Sequence, residues 1–426
     1  MSSLAGSSVA LHVRLLRGAG FLRAARGGGK HVTSLHDAYR CLALAATTTY
    51  LVQELIYAYQ ERRVMERLAR VLFLLLCHVT SLVKQLVLVL DADRVDRLIQ
   101  SLDDPLFNLD DARSTLQLQA TTRGAARLAR LYVGTAVVTC VLWIVFPILD
   151  HVKGNPVEFP LYIYVDTNRT PTFIVVLIYT YLVTSLVGIA NTSMDAFMGT
   201  ILLQSKTQLS ILRNNLENLF ESAEAESAGG GGARGEVHLR LLLRCLQHYN
   251  KVVETTKLFQ DIFGTAILVQ FTIGGWILCL AAYKIVSLNM FSIEFASMIL
   301  FIMCILTELF IYCYYGNEVS VESEGLVSSL YLTGWRRAGR GVRRALLLAM
   351  ERAQRPLAPT AGRVLPLSLN TFIQVCDPGT CSMDRAQRTL APTAGRVLPL
   401  SLNTSIQILK SSYTFYAVLR QTKYEE

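Results

Sequence analysis

Residues 131–149, LYVGTAVVTCVLWIVFPIL, run for nineteen positions without one charged side chain. A helix rises about 1.5 Å per residue, so such a run reaches about 28 Å, close to the roughly 30 Å thickness of bilayer hydrocarbon. Four further runs read the same way: 68–90 (LARVLFLLLCHVTSLVKQLVLVL), 172–194 (beginning TFIVVLIYTYLVTSLVGIA), 265–288 (TAILVQFTIGGWILCLAAYKIVSL) and 293–315 (IEFASMILFIMCILTELFIYCYY). Two more polar runs complete the set. Residues 39–59 (YRCLALAATTTYLVQELIYAY) contain Glu54, and residues 398–419 (LPLSLNTSIQILKSSYTFYAVL) contain Lys410 and many hydroxyls. Spans of that polarity must face protein or water instead of lipid. The expected fold is therefore all-α, an integral membrane bundle of seven transmembrane helices.

Composition agrees. Of 426 residues, 52% are hydrophobic and 17% charged, against about a quarter charged in soluble domains. Lys and Arg concentrate in cytoplasmic loops of membrane proteins, and alternate loops here differ sharply. One set holds five basic residues before the first span, several between 91 and 130, seven between 195 and 264, and eleven arginines from Arg336 to Arg396. All segments of the other set together hold seven. This predicts a cytoplasmic N-terminus and, with seven spans, an extracellular C-terminus, the reverse of a G-protein-coupled receptor. The same loops account for the net charge of +9. The basic residues flank spans and do not interleave with an aromatic surface, so no nucleic-acid partner is expected, and lipid is the expected surroundings.

The chain divides accordingly into a basic cytoplasmic tail (1–38), six spans with cytosolic helical extensions (39–315), a cytoplasmic loop and helix (316–397), a seventh span (398–420) and an outer tail (421–426). Residues 1–36 lack acids and are rich in Arg, Ser, Ala and Gly, a composition shared by transit peptides and cytoplasmic basic tails. The loop charges agree with the tail. Nine cysteines give no disulfide framework: Cys77, Cys140, Cys279, Cys304 and Cys313 lie in spans as small apolar fillers, and Cys376 and Cys381 fall on the reducing side. Asn168-Arg169-Thr170 is a glycosylation sequon in an expected outer loop. His238 and His248, in the amphipathic stretch before the fifth span, read as surface or interface residues.

Residues 352–374 (RAQRPLAPTAGRVLPLSLNTFIQ) recur at 385–407, with 21 of 23 positions identical. Either a pore element or merely a coding segment is duplicated, and only the second copy leads into a full span. Enzyme motifs are absent: no GxSxG, HExxH, Walker loop or paired CxxC, and no cofactor is implied. Lys84, Asp195, Glu308 and Lys410 are ionisable groups in or near spans, which are functional candidates, though pairing between helices and snorkelling place such groups as well. In the seventh span, Thr404, Gln407, Ser411, Thr414 and Val418 form one narrow stripe, polar until its outer end. Such a stripe fits a water-lined path closed by dewetting at a hydrophobic residue; it fits equally a buried helix with paired polar groups.

Several of these stretches resemble the insect odorant receptor family. They are PLSLNTSIQILKSSYTFYAVLR, RVDRLIQSLDDPLF after the second span, and YCYYGNEVSVESEGLVSSLYLTGW after the sixth, followed by a basic helix, RRALLLAMERAQRPL. The likeness runs in order from about residue 37 to 420 and is specific in the C-terminal third. Related gustatory receptors usually end in a TYhhhhhQF-like motif (h, hydrophobic), from which SYTFYAVLRQ departs. The resemblance implies a ligand-gated, non-selective cation channel subunit in the plasma membrane of a sensory dendrite. It implies a hetero-tetramer with a shared odorant receptor co-receptor, and a final helix from each subunit lining the pore. Val418 falls where the co-receptor carries a hydrophobic gate residue, and Thr422 departs from a second apolar gate position. The resemblance also implies a pocket for a small volatile ligand among helices 2, 3, 4 and 6. Here that corresponds to Phe73, Cys77, Thr139, Trp143, Phe146, Phe173, Leu177 and Phe295, with Trp143 foremost. Gustatory-type receptors, G-protein-coupled receptors and non-channel membrane proteins are the alternative classes.

Overall fold

Long apolar runs that satisfy every backbone group internally must be helices, and helices dominate the computed structural model. It describes residues 3–24, 30–63, 65–109, 111–153, 159, 161–164, 169–228, 234–286, 292–333 and 339–376. Two short helices open the chain, α1 (Leu4–Ser7) and α2 (Ala10–Gly18). There follow α3 (Lys30–Gln60), α4 (Met65–Leu90), α5 (Ala92–Ser101), α6 (Ala112–Val152), α7 (Thr170–Glu217) and α8 (Leu219–Ala228). The chain continues with α9 (Arg234–Val286), α10 (Ile293–Leu332) and α11 (Arg340–Ala353), a two-stranded hairpin (Thr360–Ala361 and Leu365–Pro366), and α12 (Leu369–Cys376). Among the described residues, six helices (α3, α4, α6, α7, α9 and α10) are long and apolar enough to cross a membrane. The seventh expected span, 398–420, lies outside the described residues, and with it Thr404, Gln407, Lys410, Ser411, Thr414 and Val418.

Local chemistry sets the helix starts. The Asp111 carboxylate accepts the Ser114 N–H at 2.7 Å to cap α6, and the Ser292 hydroxyl accepts the Phe295 N–H at 3.0 Å to cap α10. Pro171 sits in the first turn of α7, where its missing N–H costs nothing. At 48 residues, α7 is about 72 Å long at about 1.5 Å per residue, more than twice the hydrocarbon thickness. Its two halves differ accordingly. Ile174, Val175, Ile178 and Leu182 in the first half are exposed apolar side chains suited to lipid, whereas Ala196, Phe197, Met198, Leu202 and Leu209 in the second half are fully buried.

The main hydrophobic core thus lies at the end of the bundle away from the exposed apolar band. It joins the second half of α7, the first half of α9, the second half of α10, and α5 and α11. Part of the segment expected as a basic tail packs into this core: Ala5, Val9, Leu16 and Phe21 are buried, and the Ser3 hydroxyl donates to Asp103 at 2.5 Å. A basic composition hid these few apolar anchors. His238 and His248 are buried at helix interfaces, with His248 Nε2 2.9 Å from Gln208 Oε1 and its ring against Phe107. Burial holds the His12 and His248 imidazoles well below the usual histidine range, each at about 4.

The first repeat copy forms the hairpin and α12. Gly362 takes φ +58°, and its N–H donates to the Gly264 carbonyl of α9 at 2.8 Å. Arg363 pairs with Asp261 at 2.8 Å. The second copy lies outside the described residues.

Candidate ligand cavity

Three aromatic rings meet where α4, α6 and α10 converge. Phe73 stands edge-on to Trp143 (centroids 6.4 Å apart) and to Phe301 (5.4 Å), and Trp143 lies 5.6 Å from Phe301. Around this cluster are two chambers, of about 200 and 110 Å³. Both are lined by Leu74, Cys140, Trp143 and Thr184, so Trp143 stands at their junction. Pro147, a turn beyond Trp143 on α6, lines the wider chamber and cannot donate the helical hydrogen bond to the Trp143 carbonyl.

The residues expected at a ligand site separate into groups. Phe73, Trp143 and Leu177 line the wider chamber. Cys77, Thr139 and Trp143 line the narrower one. Phe173 is buried behind the wall, stacked on His151 at 4.0 Å and packed on Phe159, which itself lines the wider chamber. Phe295 lies in the first turn of α10 and is not among the lining residues; Ser297 and Met298 stand there instead. The Phe146 side chain lies outside the described residues.

Among the lining residues that sequence reasoning missed, two come from helices it did not assign to the pocket. Tyr50 reaches the wider chamber from α3, and Lys284 reaches it from α9, its Nζ 5.4 Å from the Phe73 ring centroid. Both come from helices outside the four expected to form the pocket. Their signal was a polar or charged group within an apolar run, which marks an interior-facing position in a span.

Polar groups gather at the narrow chamber. His78 Nδ1 lies 2.9 Å from Glu54 Oε2, with both residues buried. Lys84, on α4, donates to Asp195 of α7 at 2.6 Å, to Asn191 at 3.1 Å, and to Glu308 of α10. The Tyr312 hydroxyl also donates to Asp195. Three of the ionisable residues singled out in the sequence thus pair with one another across three helices. Among the described residues, no three His, Cys, Asp or Glu side chains are grouped to hold a metal ion.

Apolar helices of membrane length, enclosing an aromatic cavity, define a multi-pass membrane protein. A family profile described as 7tm Odorant receptor matches residues 64–377. The chain belongs to this odorant receptor family. Among its relatives, Odorant receptor Or2 of Anopheles gambiae is 25% identical over 268 residues, covering 62% of this chain and 68% of that protein. Odorant receptor 22b of Drosophila melanogaster is 25% identical over 39% of this chain and 40% of its own length. The matched part of several relatives is therefore less than half of the whole protein. Among solved structures, olfactory receptor OR5 of Machilis hrabei in complex with eugenol superposes with a TM-score of 0.74. That match has 17% identity and covers 86% of this chain and 94% of the other. This likeness shows that the described residues share the helical fold of that receptor.

Proposed function

We propose that this chain is the ligand-selective subunit of an odorant-gated, non-selective cation channel. The observation that carries the reading is the two-chambered aromatic cavity inside the bundle of a family member. Its largely apolar walls, with polar groups gathered at the narrow chamber, suit a small volatile molecule, with Phe73, Cys77, Thr139, Trp143 and Leu177 as contacts. Phe173 is proposed to support the site from behind its wall, and Phe146 and Phe295 to belong to its surroundings. The proposed orientation puts the N-terminus in the cytoplasm and the C-terminus outside the plasma membrane of a sensory dendrite. The loop charges and the long buried halves of α7 and α9 support it. The seventh helix supplies the pore stripe Thr404, Gln407, Ser411 and Thr414, closed by Val418, within a hetero-tetramer that includes an odorant receptor co-receptor.

A ligand opens such a channel only by binding the open state more tightly than the closed one. Helices α4, α6 and α10 meet at the cavity and run on into the folded cytosolic core. A ligand seated there can therefore bias how these helices pack at the far end. The test is whole-cell current in cells expressing this chain with or without an insect co-receptor, across a panel of volatiles. Odorant-evoked cation current only in co-expressing cells is the expected result. Silence across the panel despite surface delivery sinks the proposal.

A further inference from the structure

The anchoring end of the bundle holds a cavity of its own, of about 690 Å³, within the range of about 300–1,000 Å³ usual for small-molecule sites. It lies where the start of α6, the junction of α7 with α8, and the first half of α9 meet. Its wall is of two kinds. Leu106, Leu109, Leu219 and Leu241 make an apolar part. Arg113 and Arg244 bring exposed guanidinium groups from two different helices, and neither has an ion pair or hydrogen bond among the described residues. The side-chain amides of Asn214 and Asn215, also on the wall, are likewise uncommitted among the described residues. The acids close by are already engaged. Both Asp111 oxygens accept from Ser114, at 2.7 and 3.0 Å, and Asp104 pairs with Lys251 at 3.3 Å. A guanidinium is a planar fork of donors that matches phosphate oxygens. The leucines beside it call for an uncharged, flat body on the same molecule. A lipid headgroup is out of reach. Arg113, Asn214 and Arg244 stand 18, 20 and 21 residues from the apolar runs that begin at 131, end at 194 and begin at 265. All three stretches are helical, so at about 1.5 Å per residue each group lies about 27–32 Å from the hydrocarbon, whereas headgroups extend only about 5–8 Å beyond it.

We infer that this second cavity binds a soluble nucleotide, with its phosphates on Arg113 and Arg244 and its base against the leucines. The proposed orientation places the cavity in the cytosol, where nucleotides are abundant. The odorant cavity has no part in it, so either site can fail without the other.

The experiment measures binding of radiolabelled ATP and GTP to the full chain, purified in detergent with an insect co-receptor and varied in this chain alone. The co-receptor purified without this chain gives the background. Saturable binding of at least one nucleotide above that background is expected. Tripolyphosphate, which lacks the base, should compete about 10-fold more weakly, and adenosine, which lacks the phosphates, more weakly still. Arg113→Gln and Arg244→Gln should each weaken nucleotide binding about 10-fold or more, the range of a lost hydrogen bond to a charged group. Both side chains are exposed, so the fold tolerates these changes. Arg240→Gln, one turn from Arg244 but paired with Glu226 and absent from the cavity wall, should leave binding unchanged. Asn215→Leu alters the wall without altering charge and should weaken binding a few-fold. Absence of saturable binding of both nucleotides would overturn the inference. So would tripolyphosphate as tight as the nucleotide, or a loss in Arg240→Gln equal to that in Arg244→Gln, since either would mean a general cationic surface. Binding of phosphatidylinositol 4,5-bisphosphate vesicles that Arg113→Gln and Arg244→Gln abolish, with both nucleotides inert, would overturn it in favour of a lipid.

Discussion

Lys84 is a fully buried cation held by Asp195, Glu308 and Asn191. Its removal strands two carboxylates in apolar surroundings, and breaking a buried ionic group on one side costs about 3–5 kcal/mol. Lys84→Met is therefore expected to cut surface delivery and lower thermal stability in detergent. Glu308→Gln leaves one acid facing one base and should be tolerated better. Thermal melts of both variants check this order, and equal stability would contradict it. That these three residues were ionisable groups in apolar runs was legible in the sequence. That they meet was not, because Lys84 and Glu308 stand 224 positions apart. The same limit hid Tyr50 and Lys284. Periodicity tells which face of a helix is unusual, and only the packed bundle tells what that face meets.

At the scale of elements, the hairpin shows what docks the region carrying the duplication. A Cβ added at Gly316 of α10 would come within 2.7 Å of the Leu367 carbonyl oxygen. Gly316→Ala should therefore push the hairpin off α10, at a cost of about 1–3 kcal/mol typical of overpacking. Increased proteolysis between residues 339 and 376 reports it. The second repeat copy carries the same hairpin residues, Thr393, Ala394, Gly395 and Arg396 in place of Thr360, Ala361, Gly362 and Arg363. Deleting 352–384 should let it occupy the same seat on Gly264 and Asp261, and surface delivery should match the parent chain. A deletion variant retained inside the cell would show that both copies are needed. The buried histidines add a pH dependence. His12 and His248 stay neutral in the fold down to about 4, whereas exposed by unfolding they take up a proton near 6.5. Their contribution is intact above pH 6.5 and shrinks as pH falls from 6.5 to 4, by up to about 3 kcal/mol each. Detergent melts at pH 7.5 and 5 should differ, and less so in a His12→Gln, His248→Gln double variant.

Across the whole molecule, the helical membrane class was readable because bilayer thickness imposes a run length that composition cannot mimic by chance. That the helices extend past their apolar runs was expected, but how deeply the extensions are buried was not, because the second half of α7 is as polar in sequence as a soluble helix, with Asp195, Gln204 and Gln208 all buried. Its burial is set by α9, α10 and the N-terminal helices, whose apolar anchors are scattered among basic residues. The molecule thus has a lean cavity-bearing half and a densely packed anchoring half, and ligand energy applied in the first has helices leading into the second. The most direct test of this account is the odorant dose–response of Trp143→Ala beside the parent chain, co-expressed with a co-receptor and matched for surface delivery. The account predicts a shift of at least about tenfold to higher concentration, as expected when an aromatic contact between the two chambers is lost. An unchanged curve would contradict it and place the odorant elsewhere.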